Sequence, residues 1–268
     1  MIGWILFLLL LSSAVSRRRT LTFSTIQDVL EDTRSSYDIP TVKWREKNRG
    51  SILRSRHPEE PLLIKTIVEE EDMLLMWNPE SLAENTKDTK WRTYISGVKH
   101  LAKYNNTDKI GMTLHDYLQS KNETCQSEYR YPRYPARYLS GFNENEVSRK
   151  LRILSMGGDD FEPIVRVSKD PIQYGAHYDE NHNHLLQLFG RKRVVLVPHE
   201  YVKRLRIDPE TRHTGVNILV DPALLDVPAL QVILTPGDAL YIPAWMIHYT
   251  EALELNVALN QFTTHKRR

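Results

Sequence analysis

The pattern of apolar and polar positions changes character at Ile164. Beyond it, short apolar runs alternate with turn signals: Ile164–Val167, Ile172–Asp179, His184–Leu188, Arg193–Val197, Leu230–Leu234, Ala239–Ile242, Met246–Leu253 and Val257–Phe262. Runs of this length between polar and Gly/Pro-containing breaks are strands, and many at close spacing predict an antiparallel sandwich or barrel. Phe189–Gly190–Arg191 separates two of the runs and reads as a hairpin turn. Thr235–Pro236–Gly237–Asp238 reads as a type II turn, in which the glycine supplies the positive φ.

Before Ile164 the pattern is mixed. Thr25 is an N-cap candidate for a helix over 25–34, with Ile26, Val29 and Leu30 at helical spacing. Pro61–Val68 is a short apolar run and predicts a strand. Pro79–Tyr104 is helical in part, and Thr113–Gln119 places Leu114, Tyr117 and Leu118 at helical spacing behind a Thr cap. Tyr129–Tyr138, rich in Tyr, Arg and Pro, is extended or looped. Leu139–Arg152 is polar and predicts a short helix. The organisation is therefore an apolar leader (1–16), a basic polar lead-in (17–60), a mixed α/β part (61–135) and a β core (136–265).

Composition adds few constraints. The chain of 268 residues is 41% hydrophobic and 26% charged, which suffices for a buried core. A net charge of +2 demands no DNA or other nucleic-acid contact. Arg17–Arg19, Lys266–Arg268 and the acidic run Glu69–Asp72 read as solvated surface. Cys125 is the single cysteine, so no disulfide forms within the chain and a Cys-rich zinc site is excluded. Any metal must be held by His and carboxylate.

The start resembles a secretory signal: Ile2–Leu11 is apolar, small residues follow, and the stretch is too short for a stable transmembrane span. With the sequons at Asn105 and Asn122 it points to the endoplasmic reticulum lumen. Arg17–Arg19 oppose translocation. The alternatives are a weak anchor, or a cytoplasmic or nuclear protein whose leader is not a working signal.

The candidate chemistry centres on His177 and Asp179, at i and i+2 on a predicted strand, where both project from one face. His248, after Tyr241–Ile242–Pro243, is the best third ligand. Two His and one carboxylate leave open positions, which suits non-haem Fe(II); zinc would close its tetrahedron. A His-x-Asp pair alone is a common coincidence, and its weight comes from its company. Asn183, Leu185–Gln187, Gly190 and Lys192–Leu196 follow it. Then come Pro236–Asp238, Leu240, Ile242–Pro243, His248 and Asn256–Asn260. Alternation turns Lys192 inward with Val194 and Leu196 while Arg191 and Arg193 face out, and a buried ammonium needs an anion.

This set, over about residues 112–262, resembles the JmjC, or cupin-like, 2-oxoglutarate oxygenases. It is most similar to the small-hydroxylase branch that includes the wybutosine hydroxylase of tRNA and the asparaginyl hydroxylase of hypoxia-inducible factor. The resemblance implies a mainly β fold, a double-stranded β-helix with a helical N-terminal flank. It implies Fe(II) as cofactor, with 2-oxoglutarate and O₂ as co-substrates. His177, Asp179 and His248 fall on the iron ligands. Lys192 falls on the cation that pairs the distal carboxylate of 2-oxoglutarate. Asn183 and Asn260 fall near the co-substrate, Tyr138 on a tyrosine that donates to the same carboxylate, and Tyr174 where some members place threonine. The implied reaction hydroxylates a protein side chain or an RNA, or demethylates through hydroxylation, with release of succinate and CO₂. The alternative is a catalytically inactive cupin-like binding module. Oligomeric state is not legible.

Competing structural roles stand beside these. His182, His184, His199, His213 and His265 read as surface or packing residues, with His184 nearest the site. Trp245 and Tyr249 either line the substrate mouth or pack the barrel. The Tyr129–Tyr138 cluster is either a nucleic-acid surface or ordinary loop packing.

Overall fold

A computed structural model describes residues 21–31, 39–45, 47, 59–68, 77–97, 99–101, 108–120, 129–140, 147, 149–150 and 162–264. The leader, both sequons, Cys125, most of 139–152, His265 and the basic tail lie outside these residues.

Two sheets face each other. In chain order the strands are β1 (Ser24–Thr25), β2 (Thr41–Lys43), β3 (Leu62–Lys65), β4 (Lys90–Ser96), β5 (His100–Leu101), β6 (Asp108–Thr113), β7 (Tyr129–Pro135) and β8 (Ile164–Ser168). They continue as β9 (Gln173–His177), β10 (His182–Phe189), β11 (Lys192–Val197), β12 (Pro228–Leu234), β13 (Ala239–Ile242), β14 (Ile247–Ala252) and β15 (Asn256–Thr263). One sheet has six strands in the order β1-β12-β11-β14-β9-β5, the other nine in the order β2-β3-β13-β10-β15-β8-β7-β4-β6. From β8 onward successive strands alternate between the sheets except at β11 and β12, which pair as neighbours in the small sheet; this is the double-stranded β-helix.

That alternation revises the reading of the turns. β10 pairs with β13 and β15, and β11 pairs with β12 and β14. Phe189–Gly190–Arg191 is therefore a crossing between sheets and not a hairpin. Turn chemistry is local, but which strands pair is decided by distant partners. The turn still requires glycine: Gly190 has φ +62, and a Cβ there would lie 2.1 Å from the Leu255 carbonyl oxygen. Thr235–Asp238 is likewise a crossing, from β12 to β13, closed by Asp238 N–H donating to the Thr235 carbonyl at 3.0 Å, with Gly237 at φ +88.

Strand alternation divides the apolar residues among layers. Leu185, Val194, Leu196, Leu230, Val232, Leu234, Leu240 and Ile242 are buried between the sheets. Leu186, Leu188, Val165, Val167 and Tyr241 pack on the opposite face of the large sheet with Trp77, Trp91, Leu82 and Tyr117. These come in part from the short helices α2 (Pro79–Asn85) and α3 (Leu114–Gln119), capped by Asn78 and Thr113. The outer face of the small sheet carries Val195, Val197, Ile247 and Tyr249 against α1 (Ile26–Glu31) and the 199–227 loops. Thr25 caps α1: its hydroxyl accepts from Asp28 N–H at 3.1 Å while its own N–H donates to the Asp28 carboxylate at 2.8 Å. Among the described residues no helix is long and apolar enough to cross a membrane.

Of the two expectations for Tyr129–Tyr138, extended or looped, β7 takes the extended one over Tyr129–Pro135. It carries Pro132 and Pro135 yet runs between β4 and β8 as an interior strand. Proline removes one ladder donor, so a Pro-containing run is demoted on sequence grounds. Here the alternating Tyr129, Tyr131 and Arg133 side chains outweigh that loss, through contacts made by residues distant in the chain.

Candidate metal and oxyanion site

The ligand atoms of His177, Asp179 and His248 all lie within 4.8 Å of one another. His177 ends β9 and His248 is the second residue of β14, and the two are register partners in the small sheet. Their rings stand 4.1 Å apart between centroids. Asp179 lies beyond β9, two residues into the following turn, so its approach is set by that turn and not by strand alternation. The turn is tied down: the Asp179 carbonyl accepts from Trp245 N–H at 2.7 Å, and Tyr178 N–H donates to the Arg212 carbonyl at 3.2 Å. Trp245 holds a positive φ of 69, which costs a side-chain-bearing residue of order 1 kcal/mol. One Asp179 carboxylate oxygen stands 3.5 Å from His248 Nε2 and 4.0 Å from His177 Nε2.

Both imidazoles are oriented by the backbone two residues earlier. His177 Nδ1 lies 2.8 Å from the Gly175 carbonyl, and His248 Nδ1 lies 3.1 Å from the Met246 carbonyl. A carbonyl can only accept, so each Nδ1 carries the proton and each Nε2 presents its lone pair toward Asp179. Two such lone pairs and a carboxylate, all from one side, form a three-donor set that fits a divalent metal and leaves its far side open. His213 stacks on His177 at 4.4 Å, nearly parallel, and bridges to it through the backbone.

The triad opens into a cavity of 460 Å³ between the sheets. Lys192, the first residue of β11, lies at its inner end, 2% exposed, with Val194 and Leu196 continuing the same face into the core. Beside it stands Tyr131 of β7, also buried. Arg166 of β8 places its guanidinium 5.6 Å from the Tyr131 ring centre and donates from Nε to Asn260 Oδ1 at 2.9 Å. The Asn260 amide in turn donates to Asn183 Oδ1 at 3.1 Å. Arg133, the register partner of Arg166 on β7, also lines the cavity.

The cations set the electrostatics of this end. Burial lowers the Lys192 ammonium from its ordinary range; Tyr131 opposes that shift and Arg166 adds to it. Burial alone would raise the Tyr131 phenol, but Lys192, Arg166 and Arg133 outweigh burial and hold it below its usual value. Tyr174 shows the opposite result: burial dominates and pushes its phenol up despite Arg166.

A family model described as "Cupin-like domain" matches residues 54–266. The chain belongs to the cupin-like domain family. Among curated relatives, tRNA wybutosine-synthesizing protein 5 of Danio rerio is 33% identical over 109 residues, covering 39% of this chain and 33% of that protein. The Mus musculus protein of the same name is 22% identical over 253 residues, covering 85% and 78%. Lysine-specific demethylase JMJ31 of Arabidopsis thaliana is 35% identical over 97 residues, covering 32% and 18%. The matched segment thus spans about a third of the first of these relatives.

Within this cupin-like barrel, the structure brings together His177, Asp179, His248, Lys192, Asn183, Asn260 and Tyr174, all of which line the one cavity. Tyr138 is not among them. It belongs to a short 3-10 turn, Ala136–Tyr138, that follows Pro135 and ends β7. It is 60% exposed and lies against the Arg137 guanidinium, at 4.7 Å from its ring centre. The tyrosine in the cavity beside Lys192 is Tyr131. His184 also stays outside, its ring against Tyr241 and the Gln261 carbonyl.

Among the cavity residues, Tyr131, Arg133 and Arg166 are not singled out by sequence, and His213, read there as a surface or packing residue, also lines the cavity. Tyr131 and Arg133 fall within the Tyr/Arg cluster that reads from sequence as either a nucleic-acid surface or loop packing. The usable signal was their i, i+2 spacing, which places both on one face of a strand. Arg166 interrupts the apolar run Ile164–Val167, and a charge inside an apolar strand marks a buried function. Nothing in the local sequence separates His213 from the other histidines.

Proposed function

We propose that the chain is an Fe(II)- and 2-oxoglutarate-dependent dioxygenase that hydroxylates a protein side chain or an RNA, or demethylates through hydroxylation. The single observation that carries this reading is the pairing of the three-donor site with a buried, unbalanced cation in one cavity: Lys192 shares the 460 Å³ space with His177, Asp179 and His248. A metal with open positions and a fixed ammonium suit a small dianion with a chelating end and a distal carboxylate. The relatives' names agree in part: some act in tRNA wybutosine synthesis and one is a lysine demethylase.

The residues divide the work. His177, Asp179 and His248 would hold Fe(II), with the Gly175 and Met246 carbonyls fixing the ring orientations. Iron bound there with 2-oxoglutarate would use O₂ as the oxidant, one oxygen atom entering succinate as CO₂ leaves and the other hydroxylating an unactivated C–H bond of the substrate. Lys192 neutralises the distal carboxylate, and the neutral Tyr131 phenol donates to it. Asn183 and Asn260 hold each other across β10 and β15 and keep the wall between metal and cation polar. Ile164, Leu185, Ile242 and Phe262 supply the apolar lining that limits water.

The test is succinate release by purified protein with Fe(II), 2-oxoglutarate and O₂, measured as uncoupled turnover. Asp179→Ala should reduce it by on the order of a hundredfold or more, since even outer partners of a metal site are worth 10–100-fold. Turnover by that variant at the wild-type rate would sink the triad assignment. If neither Mn(II) nor 2-oxoglutarate raised the melting temperature, the chain would instead be a binding module on the same barrel.

A further inference from the structure

The cavity holds more positive charge than one co-substrate can answer. Three carboxylates line it, and each is already engaged. Asp179 faces the two metal-site histidines, Glu162 pairs with Arg137 at 2.7 Å, and Glu180 pairs with Arg212 at 3.0 Å. Among the described residues, none forms an ion pair with Lys192, Arg166 or Arg133. The distal carboxylate of 2-oxoglutarate balances Lys192 and leaves both arginines.

Arg133 and Arg166 are register partners on β7 and β8, so their side chains leave one face of the sheet side by side. Like charges directly opposite destabilise a sheet. The strain registers in Arg133, which burial first and Arg166 second hold below the usual guanidinium range. Each guanidinium is steered by neutral groups: Arg166 by Asn260, and Arg133 by the Tyr94 hydroxyl, to which it donates at 3.3 Å. Tyr94, Tyr131 and Tyr174 supply the surrounding aromatic walls.

We propose that Arg133 and Arg166 form a second oxyanion seat in the metal cavity, which holds a phosphate group of the primary substrate while Lys192 holds the co-substrate. Paired guanidinium forks match a tetrahedral oxyanion through several parallel hydrogen bonds. A carboxylate carries one charge and would neutralise half the pair; a phosphate monoester carries about −1.5 to −2 and neutralises it nearly whole. The charge balance therefore favours phosphate over an acidic side chain. The seat rests on the co-substrate reading only in assigning Lys192 to 2-oxoglutarate.

The experiment is calorimetric titration of Mn(II)-loaded protein with inorganic phosphate, with and without saturating 2-oxoglutarate, and with acetate as the single-charge comparison. Phosphate should bind in both conditions and more tightly than acetate. Arg133→Gln should weaken phosphate by about tenfold, the cost of losing a hydrogen bond to a charged group, and leave 2-oxoglutarate affinity within about twofold. Arg133→Lys, which keeps the charge and loses the fork, should weaken it by a smaller factor, and serves if the glutamine variant does not fold. Competition between phosphate and 2-oxoglutarate, acetate binding as tightly as phosphate, or unchanged phosphate affinity in the Arg133 variants would each overturn the seat. Failure of 2-oxoglutarate to bind, with phosphate still sensitive to Arg133, would instead overturn the co-substrate assignment.

Discussion

The two ends of the cavity are built by different means. At the metal end, His177 and His248 are each oriented by a carbonyl two residues back, and the two sit opposite each other on adjacent strands of one sheet. At the oxyanion end, Lys192 comes from the small sheet, whereas Tyr131, Arg133 and Arg166 come from β7 and β8 of the large one. No local bond fixes that second group. Its members are steered by one another and by amides and phenols from distant strands. The metal end has its ring orientations fixed in advance and awaits only the ion; the oxyanion end carries positive charge that no carboxylate of the cavity pairs with. One end is preorganised by its own backbone, and the other becomes electrostatically complete on binding.

Removing Lys192 probes the contrast most strongly. A buried ammonium without a carboxylate partner carries a desolvation cost that the empty fold must absorb. Lys192→Met keeps the length and removes the charge, so the ligand-free protein should melt no lower than wild type, and the gain should reach about 1 kcal/mol or more. The 2-oxoglutarate concentration for half-maximal turnover should rise by on the order of a hundredfold, the worth of a fully desolvated charge-assisted contact. Melting and steady-state curves check both halves. A variant that melts several degrees lower would mean Lys192 is balanced within the fold, and the contrast between the ends would fail.

The same contrast explains how far the sequence could be read. His177, Asp179, His248, Lys192, Asn183 and Asn260 all lie on the β9–β15 segment, where strand spacing and short turns fix relative positions. There the sheet alternation of Lys192 with Val194 and Leu196 is legible directly, and the structure agrees. The crossing nature of the Gly190 turn was not legible, because a tight turn has the same chemistry whether its strands pair or part. Tyr131 and Arg133 were hidden for a different reason: Pro132 and Pro135 leave the segment open between extended and looped, and only pairing with β4 and β8 makes it a strand. The helix expected over 25–34 is described over Ile26–Glu31, with 32–34 outside the described residues, and its capped start at Thr25 is where local chemistry predicts it.

The pH response gives a sharper but smaller test. Lys192, Arg166 and Arg133 hold the Tyr131 phenol below its ordinary value, so in the ligand-free cavity it ionises at lower pH than an exposed tyrosine. The phenolate is then a counter-ion within the fold, whereas an incoming carboxylate needs the neutral phenol as donor. Binding a dianion must therefore take up a proton once pH passes the depressed value, and affinity for 2-oxoglutarate falls as pH rises through it. For stability the sign is opposite: a depressed folded value contributes stability above it, fully present above the unfolded value and lost as pH falls through the folded one. Tyr131→Phe should weaken 2-oxoglutarate by about tenfold at neutral pH, the loss of one hydrogen bond to a charged group. It should also flatten the alkaline decline in affinity. Equal alkaline slopes for the two proteins would show that Tyr131 does not carry the linkage.

The smallest expected effect separates two tyrosines only seven positions apart in the sequence. Tyr131 points into the cavity from the paired part of β7, and Tyr138 sits on the turn that ends it, 60% exposed over Arg137. Arg137 is itself tied to Glu162, so Tyr138 caps an ion pair on the rim. Tyr138→Phe removes a solvent-facing hydroxyl that accepts from Arg137 at 2.8 Å, and an exposed contact of this kind is screened by water and contributes little. The half-saturating 2-oxoglutarate concentration should move by less than about twofold, because among the described residues no path of hydrogen bonds leads from that hydroxyl to Lys192. A loss as large as that of Tyr131→Phe would mean that the 3-10 turn folds inward when the co-substrate binds, and that the oxyanion end borrows a donor from outside the cavity. The metal end, whose ring orientations are closed by carbonyls two residues away, has no such freedom.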